Sequence, residues 1–186
     1  ILRILARRVL DKHRPQIVAI TGSVGKSSTK NASVRLLSDT LSVHGDVDSV
    51  YNDSISLPLV VLGMKKDARS KFGILWACFR SIFFYHGFVK YPEVLVLELR
   101  ARKPGELKKN LELLGEIDIG IFTSFPSHPV HSEFYANATE LFKEKSQMLS
   151  YIKKGGVVIL NYDDERVMKL ASKAKKKPLK IKTIGF

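Results

Sequence analysis

The chain alternates between short apolar runs and longer segments whose apolar residues recur at helical spacing. The apolar runs occupy residues 16–21, 94–97, 117–123, 157–160 and 181–186. Helical spacing is found over residues 105–114, 138–152 and 164–174. Because the apolar runs are continuous rather than alternating, they indicate strands covered on both faces, as in a parallel sheet. The pattern predicts an α/β, doubly wound, mostly parallel fold.

A glycine-rich turn, Gly22-Ser-Val-Gly25-Lys26-Ser27, follows the first apolar run and precedes a segment with helical spacing. It matches the later part of the Walker A pattern, although Ile20 stands where the first glycine of that pattern would be. Gly25 would let the backbone approach a phosphate, Lys26 would neutralise phosphate oxygens and Ser27 would bind Mg²⁺. The turn therefore predicts a nucleoside-triphosphate site with magnesium. The alternative is an ordinary Gly/Ser turn before a helix.

The pattern singles out two further side chains. Glu98 ends the run 94–97, and because ligands bind at the carboxyl ends of parallel strands, it is predicted beside the turn, where it could hold magnesium. The alternative is an exposed acid at a strand end. Lys145 falls within the apolar stripe of a helix that Asn137 and Glu140 are suited to begin. Its side chain either points inward, which would require a functional reason, or extends along the core to reach solvent.

Composition limits the classes of function. The chain has 186 residues, with 45% hydrophobic and 26% charged residues, which is typical of one ordinary globular domain. The net charge of +13 attracts polyanions such as nucleotides, nucleic acid or anionic lipid, or else it is a solvated basic surface. No RNA-binding motif or aromatic stacking pattern accompanies it, so we expect no specific nucleic-acid partner. The single cysteine, Cys78, cannot form an internal disulfide, which fits a cytoplasmic protein.

The longest apolar run covers residues 72–89 and contains Arg80 and His86. It barely reaches the minimum length of a membrane span, and two polar side chains would lie at mid-depth. We therefore expect a buried or interfacial helix, which leaves room for peripheral membrane contact. His128 and His131 lie on a loop before the Lys145 helix, and either could meet a metal or lie at the surface.

Several motifs, in this order, resemble the central ATP-binding domain of the Mur ligases, closest to the MurF type. They are residues 20–30 (ITGSVGKSSTK), residues 52–59 (NDSISLPL), Glu98 with Pro104-Gly-Glu106, His131 fourteen residues before Lys145, and Asn161-Tyr-Asp-Asp164. The resemblance implies an ATP-dependent amide ligase of peptidoglycan precursor synthesis. In such an enzyme ATP activates a substrate carboxylate as an acyl phosphate, which an amine then attacks. The implied substrates are a UDP-muramoyl-peptide and D-alanyl-D-alanine or a similar amine.

The resemblance also implies roles for individual residues. The magnesium ligands would be Ser27, Glu98, His131 and a carbamylated Lys145, and the catalytic side chains would be Lys26, His131 and Lys145. The residues implied to bind nucleotide are Thr21, Gly22, Ser23, Gly25, Lys26, Ser27 and Ser28.

Some residues depart from the family pattern close to the implied site. Ser54 and Ser56 replace an acid and a glycine, and Arg100 and Arg102 replace a glycine and an amide. These changes favour an alternative, a degenerate Mur-like module that binds nucleotide or a partner without catalysis. We expect residues 1–15 to be a helix leading in from an N-terminal region, and residues 16–186 to be the central domain, shortened at its C-terminal end. The chain alone is then not expected to complete the ligation without N-terminal and C-terminal domains.

Overall fold

The computed structural model describes residues 1–45, 55–64, 70–125 and 134–185. The elements in chain order are α1 (Leu2–His13), β1 (Gln16–Thr21), α2 (Lys26–Ser38), β2 (Val43–Gly45), α3 (Ser56–Val61), α4 (Lys71–His86), β3 (Val94–Glu98), α5 (Glu106–Leu114), β4 (Ile117–Phe122), α6 (Ala138–Ser146), α7 (Met148–Tyr151), β5 (Ile152–Asn161), α8 (Glu165–Ala174) and β6 (Lys180–Ile184). Within these residues, one sheet has the strand order β2-β3-β1-β4-β5-β6. The pairs β2–β3, β1–β4, β4–β5 and β5–β6 are parallel. The predicted α/β fold is confirmed.

The chain divides into two compact units, and the second consists of Ile17–Lys30 and Leu97–Phe186. In this unit β1 is buried over nearly its whole length, as its continuous apolar sequence predicted. Strand β4 pairs with β1 on one side and with β5 on the other. Helix α8 packs on β5 through Val167 and Leu170, which are fully buried. The ends of β1 and β4 thus lie on the buried core of this unit.

The first unit consists of Ile1–Gln16 and Asn31–Val96. Helix α1 contacts α3 and α4 in this unit, and buries Ala6, Val9 and Leu10. The Tyr91 hydroxyl donates a hydrogen bond to the carbonyl of Val61 at 2.7 Å, and burial raises the pKa of Tyr91. Across the described residues, no helix is both long and apolar enough to cross a membrane.

The structure differs from the sequence prediction in several elements. The helix predicted over residues 138–152 is two helices, because α6 ends before Gln147 and the backbone becomes extended at Ile152, where β5 begins. Strand β5 starts this early because Ile152 pairs with Ile117 across a register shift in β4. The short elements β2 and α3 were not predicted. Residues 1–15 contain α1, and the boundary between a leading helix and a central domain at residue 16 stays a prediction.

Candidate nucleotide-binding site

The glycine-rich turn lies between β1 and α2, where the sequence pattern put it. Gly22 and Gly25 have φ angles of 145° and 85°, a region that residues with a side chain rarely adopt. A Cβ atom on Gly22 would also lie 1.9 Å from Oγ1 of Thr123. Helix α2 begins at Lys26, so its first amide groups, which lack partners within the helix, follow the turn directly. This is the geometry that binds phosphate at a helix N-terminus.

The ends of two neighbouring strands fix the turn in place. The amide of Ser23 donates to the carbonyl of Ser124 at 2.8 Å, just after β4. The Ser124 hydroxyl in turn accepts a hydrogen bond from Nδ2 of Asn161 at 2.8 Å. On the other side, the hydroxyl of Thr21 donates to the carbonyl of Leu99 at 3.2 Å, just after β3. The turn is therefore preorganised rather than free to adopt many conformations.

Glu98, at the end of β3, lies beside the turn as predicted. Its Oε2 accepts a hydrogen bond from the Ser27 hydroxyl at 2.7 Å. Its Oε1 accepts one from Nε of Arg100 at 3.0 Å, and the Glu98 side chain is only 2% exposed. A hydroxyl and a buried carboxylate are oxygen ligands of the kind that Mg²⁺ prefers, and Mg²⁺ commonly takes few protein ligands together with phosphates. The pair fits magnesium, with Arg100 as a competing cation on one oxygen.

Lys26 is the first of two lysines that contact the turn. Its Nζ donates to the carbonyl of Ser23 at 3.0 Å. Burial lowers the pKa of Lys26, the charge of Glu98 opposes that change, and the charge of Arg100 lowers the pKa further. When burial disfavours the charged form of a lysine, an anion placed beside it stabilises that charged form strongly.

Lys145 is the second lysine, and it is buried, with 5% of its surface exposed. Its Nζ donates to the carbonyl of Gly22 at 2.7 Å and lies 5.6 Å from the ring centre of Phe125. Burial, together with the charge of Lys26, lowers its pKa to about 7, while Glu98 acts in the opposite direction. Helix α6 begins as predicted, because the Asn137 side chain accepts from the amide of Glu140 at 3.0 Å.

The charges at this site favour an anion. Lys26, Arg100 and Lys145 are cationic when protonated, and Glu98 is the carboxylate that they influence. Positive charge exceeds negative charge in a setting that water reaches only in part, where electrostatic interactions are stronger than in bulk solvent. A phosphate group would relieve this excess. The arrangement can therefore bind and neutralise a polyphosphate.

The remaining predicted residues are placed as follows. Thr21 is fully buried, while Ser28 is exposed in the first turn of α2. His131, His128 and Ser54 lie outside the described residues, and Ser56 is buried in α3 of the first unit. Within the part of the chain that the structure describes, no group of three or more His, Cys, Asp or Glu side chains could hold a metal. The roles given to individual residues stay predictions.

Two carboxylates that shape the site were missed by the sequence analysis. Oε1 of Glu144 accepts from the amide of Gly105 at 3.0 Å, which ties the loop after β3 to α6. Oδ2 of Asp164 accepts from the amide of Phe125 at 2.5 Å, which fixes the loop after β4. Both acids accept long-range hydrogen bonds that a sequence pattern does not contain. The sequence offered one indication, since Asp164 closes the motif that begins at Asn161.

Comparison with known proteins gives a consistent result. The sequence-family model of the Mur ligase middle domain matches residues 20–186. A UDP-N-acetylmuramoyl-tripeptide–D-alanyl-D-alanine ligase of Buchnera aphidicola is 27% identical over 159 residues, which are 86% of this chain and 29% of that protein. The ligase of the same name from Mycobacterium leprae is 26% identical over 155 residues, 83% of this chain and 25% of its own length. The chain thus spans less than a third of these relatives.

Solved structures share the fold. The crystal structure of MurF ligase from Thermotoga maritima in complex with ADP has a TM-score of 0.74 and 23% identity. The similarity covers 99% of this chain and 36% of that protein. A pseudomurein peptide ligase type C from Methanothermus fervidus has a TM-score of 0.54 and 19% identity, and covers 87% of this chain and 26% of that protein. At these identities the likeness concerns the fold.

Proposed function

This chain belongs to the Mur ligase family, with the family's middle domain at residues 20–186, and from that premise we propose that it is the ATP-binding core of a MurF-like amide ligase. The reaction would join an amine to a carboxylate of a UDP-muramoyl-peptide, in peptidoglycan precursor synthesis in the cytoplasm. Residues 16–186 would act as the central domain, with residues 1–15 as the helix leading into it. The curated relatives carry the name of such a ligase, which supports the substrate class.

One observation carries the proposal. The hydroxyl of Ser27 and the carboxylate of Glu98 meet at 2.7 Å, at the start of α2 and the end of β3. These two positions come from segments 71 residues apart, and each was predicted separately as a magnesium ligand. Their meeting beside two lysines that contact the turn supports a nucleotide site with magnesium rather than an ordinary Gly/Ser turn.

The chain's own residues would act mainly by positioning and charge. The turn and the first amide groups of α2 would hold the phosphates, and Lys26 would neutralise charge on the γ-phosphoryl group as it is transferred. The transfer converts the substrate carboxylate to an acyl phosphate and releases ADP. The incoming amine then attacks the acyl carbon, an amide bond forms, and phosphate leaves. Ser27 and Glu98 would hold Mg²⁺, which when bound supplies charge neutralisation on the phosphates.

Lys145 has an environment suited to carbamylation. Its Nζ is buried and bonded to the carbonyl of Gly22, and its pKa is near 7, so a large share of the amine is uncharged at neutral pH. An uncharged amine adds carbon dioxide and loses a proton, which turns a cation into a carbamate anion. The carbamate would then join Glu98 and His131 as a metal ligand, and it would lower the excess positive charge of the site.

Nucleotide binding is tested first. Calorimetric titration of the chain with ATP and Mg²⁺ should give measurable binding, and Lys26→Ala should abolish it because the phosphates lose their neutralising cation. Lys169→Ala, which removes an exposed lysine on α8, is the matched control and should bind as the unmodified chain does. Equal binding by both variants would contradict the assignment of residues 22–27 as a phosphate-binding turn.

Catalysis is tested on the full-length product of the gene, because the chain spans less than a third of the curated relatives. Phosphate release from ATP should require both a UDP-muramoyl-tripeptide and D-alanyl-D-alanine, and the amide product should be detected by mass spectrometry. Phosphate release that ignores both substrates would contradict the ligase assignment.

A second candidate is a non-catalytic module that binds nucleotide. The observation in its favour is the ion pair between Arg100 and Glu98, which places a fixed cation on the acid proposed to hold magnesium. Such a module would bind ATP with little dependence on Mg²⁺ and would release no phosphate with any combination of substrates. Calorimetry repeated with and without Mg²⁺, together with the phosphate-release assay, therefore distinguishes the candidates.

A further inference from the structure

Helix α4, in the first unit, presents its large apolar side chains to solvent. The side chains that it buries are Ala77, Ser81 and Phe84, two of which are small. Phe72 is 85% exposed, Leu75 is 62% exposed and Trp76 is 56% exposed. We call the apolar face of α4 the surface formed by Phe72, Leu75, Trp76 and Phe79, all of them exposed. This is the reverse of an ordinary surface helix, which buries its apolar stripe.

The orientation of α4 is fixed by contacts on its other side. Nε2 of His13 on α1 makes a hydrogen bond with the carbonyl of Phe84 at 2.8 Å, and the Lys12 side chain donates to the carbonyl of Tyr85. Ser70 caps the helix by accepting from the amide of Gly73 at 3.0 Å. These contacts hold α4 in place while its apolar face stays exposed, and an exposed apolar patch of this kind marks an interaction surface.

The charges of the residues around this face indicate what binds to it. Residues 71–90 contain Lys71, Arg80 and Lys90 and no acidic residue. Exposed Lys71 begins α4 and exposed Lys90 follows its end in the chain, and Arg8 of α1 lines a groove with Tyr85 and His86. Aromatic side chains on one face with flanking cations are typical of helices that lie in the interface of an anionic membrane.

We propose that the apolar face of α4 inserts into the interfacial region of an anionic phospholipid membrane, with the helix parallel to the surface. At about 1.5 Å per residue, a 16-residue helix is roughly 24 Å long, which is short for crossing the hydrocarbon core. A second copy of the chain fits less well, because pairing two such faces would bring the exposed cations Lys71 and Lys90 of one copy against those of the other. This inference does not depend on the proposed ligase reaction.

The test uses Trp76, the one tryptophan of the chain. The protein should float with vesicles of phosphatidylcholine containing phosphatidylglycerol, and bind much less to vesicles of phosphatidylcholine alone. On binding, Trp76 emission should shift to shorter wavelength and be quenched by lipids brominated near the headgroup. Leu75→Gln and Phe79→Gln should each weaken binding about tenfold, since each removes a large apolar side chain from the interface. Leu36→Gln, on α2, is the matched control because Leu36 is 74% exposed, and it should bind as the unmodified chain does.

Four results would overturn the proposal. Emission of Trp76 that is already shielded without lipid, or dimers that Leu75→Gln dissociates, would mean that protein covers the face. Vesicle binding that both variants retain and that salt abolishes would mean general attraction by the net charge. Vesicle binding without quenching of Trp76 would place another surface on the membrane, and this result needs no variant to interpret.

Discussion

Nε of Arg100 lies 3.0 Å from Oε1 of Glu98, whose other oxygen accepts the Ser27 hydroxyl at 2.7 Å. The Glu98 side chain is 2% exposed and the Arg100 side chain 24% exposed, so solvent screens the pair only in part. Arg100 thus orients the carboxylate toward Ser27 and also occupies one of its two oxygens. In the proposed function the second effect competes with magnesium.

Arg100→Ala should therefore lower the Mg²⁺ concentration needed for half-maximal ATP binding. The expected change is about fivefold, which corresponds to about 1 kcal/mol, the upper value for exposed ion pairs. Titration of a fluorescent ATP analogue with Mg²⁺ measures it. Arg102→Ala is the control, because the hydrogen bond described for Arg102, to Glu106, is donated by its main-chain nitrogen. A higher Mg²⁺ requirement in Arg100→Ala would show that Arg100 supports the metal site instead of competing for it.

Lys145 should make the stability of the fold depend on pH. Its pKa is about 7 in the folded chain, against 10.5 as the ordinary value, because burial and Lys26 disfavour the charged form. Between these two values the unfolded chain binds more protons than the folded chain, so the free energy of unfolding rises with pH. The penalty is fully present below pH 7 and is lost as pH approaches 10.5.

Lys145→Met removes this titration and is the variant to compare. In buffer free of carbon dioxide, the unmodified chain should gain about 1 kcal/mol of unfolding free energy per pH unit over the variant between pH 7.5 and 9. Urea denaturation at several pH values gives these free energies. A difference that stays constant across this range would mean that Lys145 remains charged in the folded chain. Carbon-13 NMR with labelled bicarbonate then tests carbamylation, whose signal should be absent in Lys145→Met.

Asp164 should contribute more to stability than its neighbour Asp163. Its carboxylate accepts from the amide of Phe125, and from the amides of Arg166 and Val167 at the start of α8. Asp164→Ala leaves these donors without that acceptor and should cost about 2 kcal/mol in urea unfolding. Asp163→Ala should cost less than half as much, because Asp163 does not cap the helix. Equal losses would mean that the cap and the loop contact are weak.

Local patterns were sufficient to predict much of the fold and part of the site. The run that forms β1, the turn after it and the start of α2 are adjacent in sequence, so their geometry follows from propensity and periodicity. Glu98 was placed by a rule about parallel strands, and Lys145 by helical spacing. Each of these predictions rests on the residues of a single strand, turn or helix and on a general rule about where such an element ends.

Contacts between distant segments were not predicted. The contact of Glu144 with Gly105 and that of Asp164 with Phe125 each join residues 39 positions apart. Helix α3 contains Pro58 and β-branched residues, which have low helix propensity, so its formation depends on burial of every residue from Ser56 to Val61. His131 was predicted as a metal ligand on a loop that lies outside the described residues.

Gly22→Ala should disrupt the turn for two separable reasons. A φ angle of 145° is strained for alanine, and its Cβ would lie 1.9 Å from Oγ1 of Thr123. Together these effects should cost more than about 2 kcal/mol of unfolding free energy and weaken ATP binding. Gly155→Ala, with φ of 75° and no atom within 4 Å of the added Cβ, is the control for backbone strain alone and should cost about 1 kcal/mol.

The double variant Gly22→Ala/Thr123→Ala separates the clash from the strain. Removing Oγ1 of Thr123 relieves the contact but also loses its 3.2 Å hydrogen bond to the carbonyl of Thr21. The double variant should therefore be more stable than the sum of the two single losses predicts, by about 1 kcal/mol or more. Strict additivity in urea unfolding would contradict this expectation, because it would mean that Gly22 is required by its backbone conformation alone and that β4 does not constrain the phosphate-binding turn.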